Sequence, residues 1–166
     1  QFEADKPIET RFVGATAPGV NITSSGKGRV LFGESVTNSG QTNITAQASV
    51  LTTSDKVQVS SGTATISALG SISGAGNSSF NVAMTDGATL SATARDNINI
   101  RQFASTANAD GNLEIAKVHY TGDLGQQANK AFGNVSIQAA GDITGVGNES
   151  QHVRGINISL ISEDGG

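Results

Sequence analysis

Thr42-Asn43-Ile44-Thr45 is preceded 22 residues earlier by Val20-Asn21-Ile22-Thr23 and followed 22 residues later by Ala64-Thr65-Ile66-Ser67. In each stretch an aliphatic residue alternates with small polar ones, the two-residue period of a strand with one buried face. The pattern continues outward in Thr89-Leu90-Ser91-Ala92, Leu113-Glu114-Ile115-Ala116, Val135-Ser136-Ile137-Gln138 and Ile156-Asn157-Ile158-Ser159. Aligned on Ile22, Ile44, Ile66, Leu90, Ile115, Ile137 and Ile158, the seven stand 22, 22, 24, 25, 22 and 21 residues apart. A glycine precedes each: Gly19, Gly40, Gly62, Gly87, Gly111, Gly133 and Gly155.

A fixed period of this length is the perimeter of one coil of a parallel β-solenoid built from three short strands and their turns. Further strands are expected around Val30–Phe32, Ser35–Thr37, Val57–Val59, Phe80–Val82 and Ile98–Ile100. Residues 134–155 read as one coil, with strands near Val135–Ile137, Asp142–Thr144 and His152–Arg154. The expected fold is all-β, a right-handed parallel β-helix of about 22 residues per rung and about six rungs, the hand following the preference of parallel crossovers. An ordinary β-sandwich is the competing architecture, but its turns would recur every 8 to 12 residues or so around a more aromatic core. Residues 20–166 form the repeat region. Residues 1–19 hold both prolines and read as a cap, a linker or a divergent rung. Of the aligned residues, Ile44, Ile66, Leu90, Ile115 and Ile137 are expected to form one inward stack. Their neighbours would form two outward ladders, Asn21, Asn43, Thr65, Thr89, Glu114, Ser136, Asn157 and Thr23, Thr45, Ser67, Ser91, Ala116, Gln138, Ser159.

Composition agrees with strands and turns. Gly, Ser, Thr and Asn supply 69 of the 166 residues, and these types favour turns and strands or compete with helical hydrogen bonding. One Tyr and no Trp leave few aromatic anchors for a small-molecule pocket. A net charge of −4 without a basic run opposes nucleic-acid binding. The absence of cysteine removes disulfides, zinc–thiolate sites and thiol catalysis. No apolar run approaches the roughly 20 residues of a spanning helix, and Gln1 to Glu9 contain no signal-peptide core. The chain reads as a piece of something longer.

The runs Gly133-Asn-Val-Ser-Ile-Gln-Ala-Ala-Gly-Asp-Ile-Thr-Gly145 and Gly155-Ile-Asn-Ile-Ser-Leu-Ile-Ser-Glu-Asp-Gly165 resemble repeats of filamentous-haemagglutinin-type large exoproteins, over about residues 20–166. Autotransporter passengers have similar repeats. The resemblance implies a right-handed β-helix exported to the outer surface of a Gram-negative bacterium and working in adhesion. The expected partners are a host-cell or matrix surface, with glycans as a candidate ligand class. A membrane would be reached only through the rest of the parent protein, and the segment itself is expected to be monomeric.

Catalysis needs convergent titratable groups, and here the candidates are thin. His119 and His152, the two imidazoles, stand in no nucleophile or metal-ligand spacing and read as surface or turn residues. Polysaccharide lyases, which share the β-helix architecture, use clustered carboxylates with calcium and a basic residue. Asp96 beside Arg95, and Asp123 with Asp142, are the nearest approximations. Asp86-Gly87, Asp110-Gly111 and Asp164-Gly165 could bind calcium, but Asp-Gly is also ordinary turn chemistry. Asn-x-Ser/Thr sequences occur at Asn21, Asn43, Asn77, Asn134, Asn148 and Asn157, some of them through reuse of one repeat motif. No residue is assigned a catalytic, cofactor-binding or metal-ligating role, no cofactor is expected, and the chain is read as a structural and adhesive segment rather than an enzyme. The alternative is a glycan-binding module using the polar ladder face or the inter-strand loops 70–79 and 104–110.

Overall fold

Alternation of Ile, Val and Ala with Thr, Ser and Asn produces short strands that wind into an all-β solenoid of about six turns, stacked about 23 residues apart. The fold is that of a computed structural model, which describes residues 8–10, 17–25, 27–56, 58–125 and 132–163. Every strand pairing in it is parallel.

Two ladders run the length of the solenoid. Sheet I contains β2 (Ala17–Thr23), the second half of β4 (Val36–Ala46), β7 (Thr63–Ala68), β10 (Thr89–Ala94) and β12 (Leu113–Tyr120), followed by the short β14 (Ile143–Gly145) and β15 (Val153–Arg154). Sheet II contains β1 (Ile8–Thr10), β3 (Val30–Phe32), β5 (Val50–Thr52), β8 (Ile72–Ser73), β11 (Ile98–Gln102), β13 (Asn134–Ala139) and β16 (Asn157–Ser162). A third row, the start of β4 with β6 (Gln58–Ser61) and β9 (Phe80–Met84), completes the early coils. At β11 the third row and sheet II merge: Ile98 pairs with Ile72 of β8, whereas Ile100 pairs with Phe80 of β9. From there each coil is a sheet I segment and one longer sheet II strand. The coil of β11 and β12 thus departs from the expected three strands, whereas residues 134–155 hold three, β13, β14 and β15, as expected, with β14 and β15 both in sheet I.

Register explains the core. In sheet I, Ile22, Ile44, Ile66, Ala92 and Val118 form one buried column, and Ala46, Ala68, Ala94 and Tyr120 another. Thr42, Ala64, Leu90 and Ile115 form a third. In sheet II, Val30, Val50, Ile72, Ile98 and Val135 stack, and beside them Phe80, Ile100 and Ile137. Phe32 meets Phe80 edge to face, with centroids 5.8 Å apart and an interplanar angle of 73°. Burying each aliphatic side chain contributes about 1.5–3 kcal/mol. β16 continues the stack with Ile158 over Val135 and Leu160 over Ile137, both about half exposed on the last described coil.

The expected single inward stack of Ile44, Ile66, Leu90, Ile115 and Ile137 is corrected: it breaks after Ile66 and again after Ile115. Ile44 and Ile66 stack as expected, on Ile22, but Ile66 pairs with Ala92, and Leu90 pairs with Ala64. Leu90 does pair with Ile115. Ile115 then meets Gly145, while Ile137 and Ile158 belong to sheet II, on Ile100 and Val135. The recurrence marks an inward aliphatic residue flanked by small polar ones, and both sheets satisfy it. The long connection between β12 and β13 makes half a coil as long as a whole one.

Two irregularities shape the corners. β12 carries a β-bulge: Leu90 pairs with Ile115 but Ser91 pairs with Lys117, so Ala116 is extra, and both Ile115 and Val118 point inward. Where β4 turns from the third row into sheet I, Gly40 lies so close to the preceding coil that a Cβ on it would meet the Pro18 carbonyl oxygen at 1.6 Å. One on Gly62 would lie 2.6 Å from that of Gly40. Next to them a buried polar cluster satisfies itself: Asn38 Nδ2 donates to Thr42 Oγ1 at 2.5 Å, and the Ser61 hydroxyl reaches Thr42 Oγ1 at 2.9 Å.

Candidate functional site

The corner between sheet I and sheet II is built by a repeated side-chain-to-backbone bond. Ser49 Oγ accepts from the Ser71 amide at 3.0 Å, Ser71 Oγ from the Asn97 amide at 3.3 Å, and Asn97 Oδ1 from the Asn134 amide at 3.0 Å. Each turn is thereby fastened to the next, and two grooves open beside this seam.

The first lies on sheet II beside the loop 70–79. A short 3-10 turn, Ala75–Asn77, with Gly76 at φ 62°, separates β8 from β9 and leaves a hollow of about 300 Å³. Ser71, Ser73, Asn97, Asn99, Asn134 and Ser136 line it. The lining is uncharged, and Ser79 Oγ donates to Asn99 Oδ1 at 3.0 Å across its edge.

The second groove, about 520 Å³, is lined by Arg95, Asp96, Tyr120, Thr121, Asp123 and Phe132, with Gly122 in its wall. It opens where the connection after β12 leaves the coil. Here the structure joins residues that the sequence linked only loosely: Asp96 and Arg95 share the groove with Asp123. Asp142, the expected companion of Asp123, instead sits in the turn from β13 to β14, where its amide donates to Asn112 Oδ1 at 2.9 Å. Tyr120, which no sequence signal singled out, is 5% exposed at the end of the Ala46–Ala68–Ala94 column. Its ring tip lies against Gly122, where a Cβ would come within 2.2 Å of the phenol oxygen. Asp123 Oδ1 accepts from the Gly125 amide at 2.8 Å, closing the turn.

The loop 104–110 has a different character, because buried amides brace it from within. Gln102 Oε1 accepts from the Met84 amide at 3.0 Å, and Gln102 Nε2 donates to the Phe103 carbonyl at 3.1 Å. Asn108 Nδ2 donates to the Asn112 carbonyl at 2.8 Å, and Asn108 Oδ1 accepts from the Asn112 amide at 3.1 Å. Both side chains are buried.

The histidines fasten β15 to β12. His119 Nε2–H donates to the Gln151 carbonyl at 2.7 Å, and His152 Nδ1–H donates to the Ala116 carbonyl at 3.0 Å. Both imidazoles thus hold backbone on neighbouring coils. Gly87 and Gly111 have φ of 70° and 69°, as Asp-Gly turns require. Asp164-Gly165 lies outside the described residues, and among those described no three His, Asp or Glu gather as a metal site would need.

The outward ladders change with the register. Asn21, Asn43 and Thr65 are followed by Ser91 and Lys117, and Thr23, Thr45 and Ser67 by Thr93 and His119. Thr89 and Glu114 continue a separate column from Thr63, which Leu90 pairing with Ala64 places beside Thr89. Ser136, Gln138, Asn157 and Ser159 lie on sheet II instead. Of the Asn-x-Ser/Thr positions, Asn43 donates to Asn21 Oδ1 and Asn157 to Asn134 Oδ1, each at 2.8 Å, and Asn148 is exposed in the turn after β14. The Asn77 side chain lies outside the described set. Comparison of the chain with protein-family models, curated proteins and solved structures finds no match.

Proposed function

We propose that this chain is a structural and adhesive segment of a large secreted surface protein of a Gram-negative bacterium, serving as a stiff stalk. The observation carrying the reading is the continuity of the stack: the column Ile22, Ile44, Ile66, Ala92, Val118 passes through five coils without a break in pairing. In such a stack each coil is bonded to two neighbours, so bending or stretching it means breaking several ladders together. Two tests bear on this reading. Beads coated with the purified chain should be retained on epithelial cells or matrix proteins above beads coated with an unrelated β-rich protein; equal retention would remove the adhesive part. Incubation with acidic polysaccharides, with and without calcium, should give no turnover, and measurable turnover would move the lyase reading ahead.

A second reading, glycan recognition, is favoured by the uncharged groove beside the loop 70–79. Its Ser and Asn side chains can both donate to and accept from sugar hydroxyls. Signals on a glycan array that vanish when Ser73 and Asn99 are replaced by Ala would support it; signals that persist would exclude this groove.

A further inference from the structure

We propose that Asp86-Gly87, in the turn between β9 and β10, is a site of spontaneous backbone modification, where the chain closes to a succinimide and reopens as isoaspartate. The same dipeptide at Asp110-Gly111 is held back by the fold. In an Asp-Gly pair the glycine amide nitrogen attacks the aspartate Cγ, unhindered by a side chain of its own. The new C–N bond closes a five-membered ring; the carboxyl, in its neutral form, gives up its hydroxyl and the nitrogen its proton, and the two leave as water. Water then adds to one of the two ring carbonyls. Opening at the side-chain carbonyl restores aspartate, whereas opening at the main-chain carbonyl leaves the backbone running through Cγ, one methylene longer. One water leaves and one returns, so no oxidant, cofactor or second protein is consumed.

The two pairs precede the neighbouring strands β10 and β12, and both glycines take the left-handed backbone, at φ 70° and 69°. Their surroundings separate them. Gly111 is buried, and its amide donates to the Asn108 carbonyl at 3.2 Å. A Cβ on it would lie 2.6 Å from the Ala140 methyl and 3.1 Å from the Ala104 amide nitrogen, so the backbone has no room to change shape. The turn must open before this nitrogen reacts. Asp86 and Gly87, in contrast, are both exposed, a Cβ on Gly87 would meet nothing within 4 Å, and no described residue accepts a hydrogen bond from the Gly87 amide. The attacking atom is free and the space for the ring is open. The product acts on a definite place. β9 and β10 are held in register on β6 and β7, so the added methylene falls on the turn itself. There the Ala88 amide donates to the Thr85 carbonyl and the Asp86 amide to the Ala107 carbonyl, each at 3.0 Å, the second bond tying the turn to the loop 104–110.

The test ages the purified chain in warm neutral buffer, folded in one arm and unfolded by denaturant in the other. Peptides holding residues 86 and 110 are then sequenced by electron-transfer fragmentation, which tells isoaspartate from aspartate of equal mass. In the folded chain isoaspartate should accumulate about tenfold or more faster at Asp86 than at Asp110, because Gly111 reacts only after local opening. In the unfolded chain the two pairs should convert at similar rates. Asp86→Glu, whose carboxyl would have to close a six-membered ring, should remove the product at 86 and leave thermal unfolding nearly unchanged. Three results would overturn the inference: equal or faster conversion at Asp110 in the folded chain, no product at Asp86 in the folded chain while the unfolded chain forms it, or the same preference for Asp86 in both arms, which would take the fold out of the explanation. None of them bears on cell retention or on the stiffness of the stack.

Discussion

Ile115 and Ile137, 22 residues apart in a chain whose first repeats are 22 residues apart, lie in different sheets of the solenoid. Ile115 rests on Leu90, and Ile137 rests on Ile100, 37 residues before it. The equal spacing joins two half-coils through a long connection, so the core is several columns rather than one.

Those columns set the cost of emptying a site. Ile66→Ala and Ile115→Ala should each lower unfolding stability by about 2–5 kcal/mol in a denaturant series. Thr65→Ala and Ser67→Ala, on the outward side of the same strands, should stay within about 0.5 kcal/mol. Equal losses at inward and outward positions would contradict the register.

The glycine corner makes a sharper demand. Ala at Gly62 would place its methyl 2.6 Å from the Gly40 carbonyl oxygen, and relief requires the backbone of two coils to move. Gly62→Ala should therefore cost about 1–3 kcal/mol, in the manner of an overpacked core. Gly76→Ala meets open space and bears only the strain of φ 62°, about 1 kcal/mol. Thermal unfolding of the two variants side by side checks the order.

The buried polar cluster beside that corner should be intolerant of partial removal. Thr42→Val keeps the shape but strips the acceptor from buried Asn38 Nδ2, while the Ser61 hydroxyl loses one partner and keeps the Gly40 and Thr63 carbonyls. Leaving buried polar groups unsatisfied costs about 1–3 kcal/mol. Replacing Asn38, Thr42 and Ser61 together by Leu, Val and Ala should recover part of the loss, a comparison that denaturation midpoints can make.

The loop 104–110 should lose its protection when its internal brace is cut. Asn108→Ala removes bonds to the Asn112 amide and carbonyl. Hydrogen exchange should then speed up at Asn112, and at Asp86, whose amide donates to the Ala107 carbonyl at 3.0 Å. Unchanged exchange at both would mean the loop is held otherwise.

Much of the fold was legible because alternation and period reflect the same physical requirement: one face of every strand must be buried on a neighbouring coil. Val30–Phe32, Phe80–Val82 and Ile98–Ile100 lie in strands as expected, whereas Val50–Thr52 and Ile72–Ser73 were missed. Those two are two or three residues long and carry only one or two aliphatic residues, too few to show a period. The slip at Ile66 came from the lengthened coil between β7 and β10, which moved the match from Ala92 to Leu90. Alanine packs inward under a larger neighbour without announcing itself, as Ala68 and Ala94 also do. The groove was only half legible. Arg95 and Asp96 are neighbours in sequence, but Tyr120 and Asp123 reach them through coil stacking, and that proximity depends on a register that short motifs leave open.

The most direct test of the central claim, a parallel stack whose register crosses between two sheets, is a pair of double-cysteine variants carrying nitroxide spin labels. The chain has no native cysteine, so labelling is confined to the chosen sites. Asn99 and Ser136 are paired on adjacent strands of sheet II, about 4.8 Å apart in backbone spacing. Glu114 and Ser136 share the 22-residue spacing but lie on sheets I and II. Strong dipolar broadening for the 99/136 pair with little for 114/136 is the predicted result. Broadening for 114/136 with none for 99/136 would contradict the register, and with it the merging of two rows into one at β11.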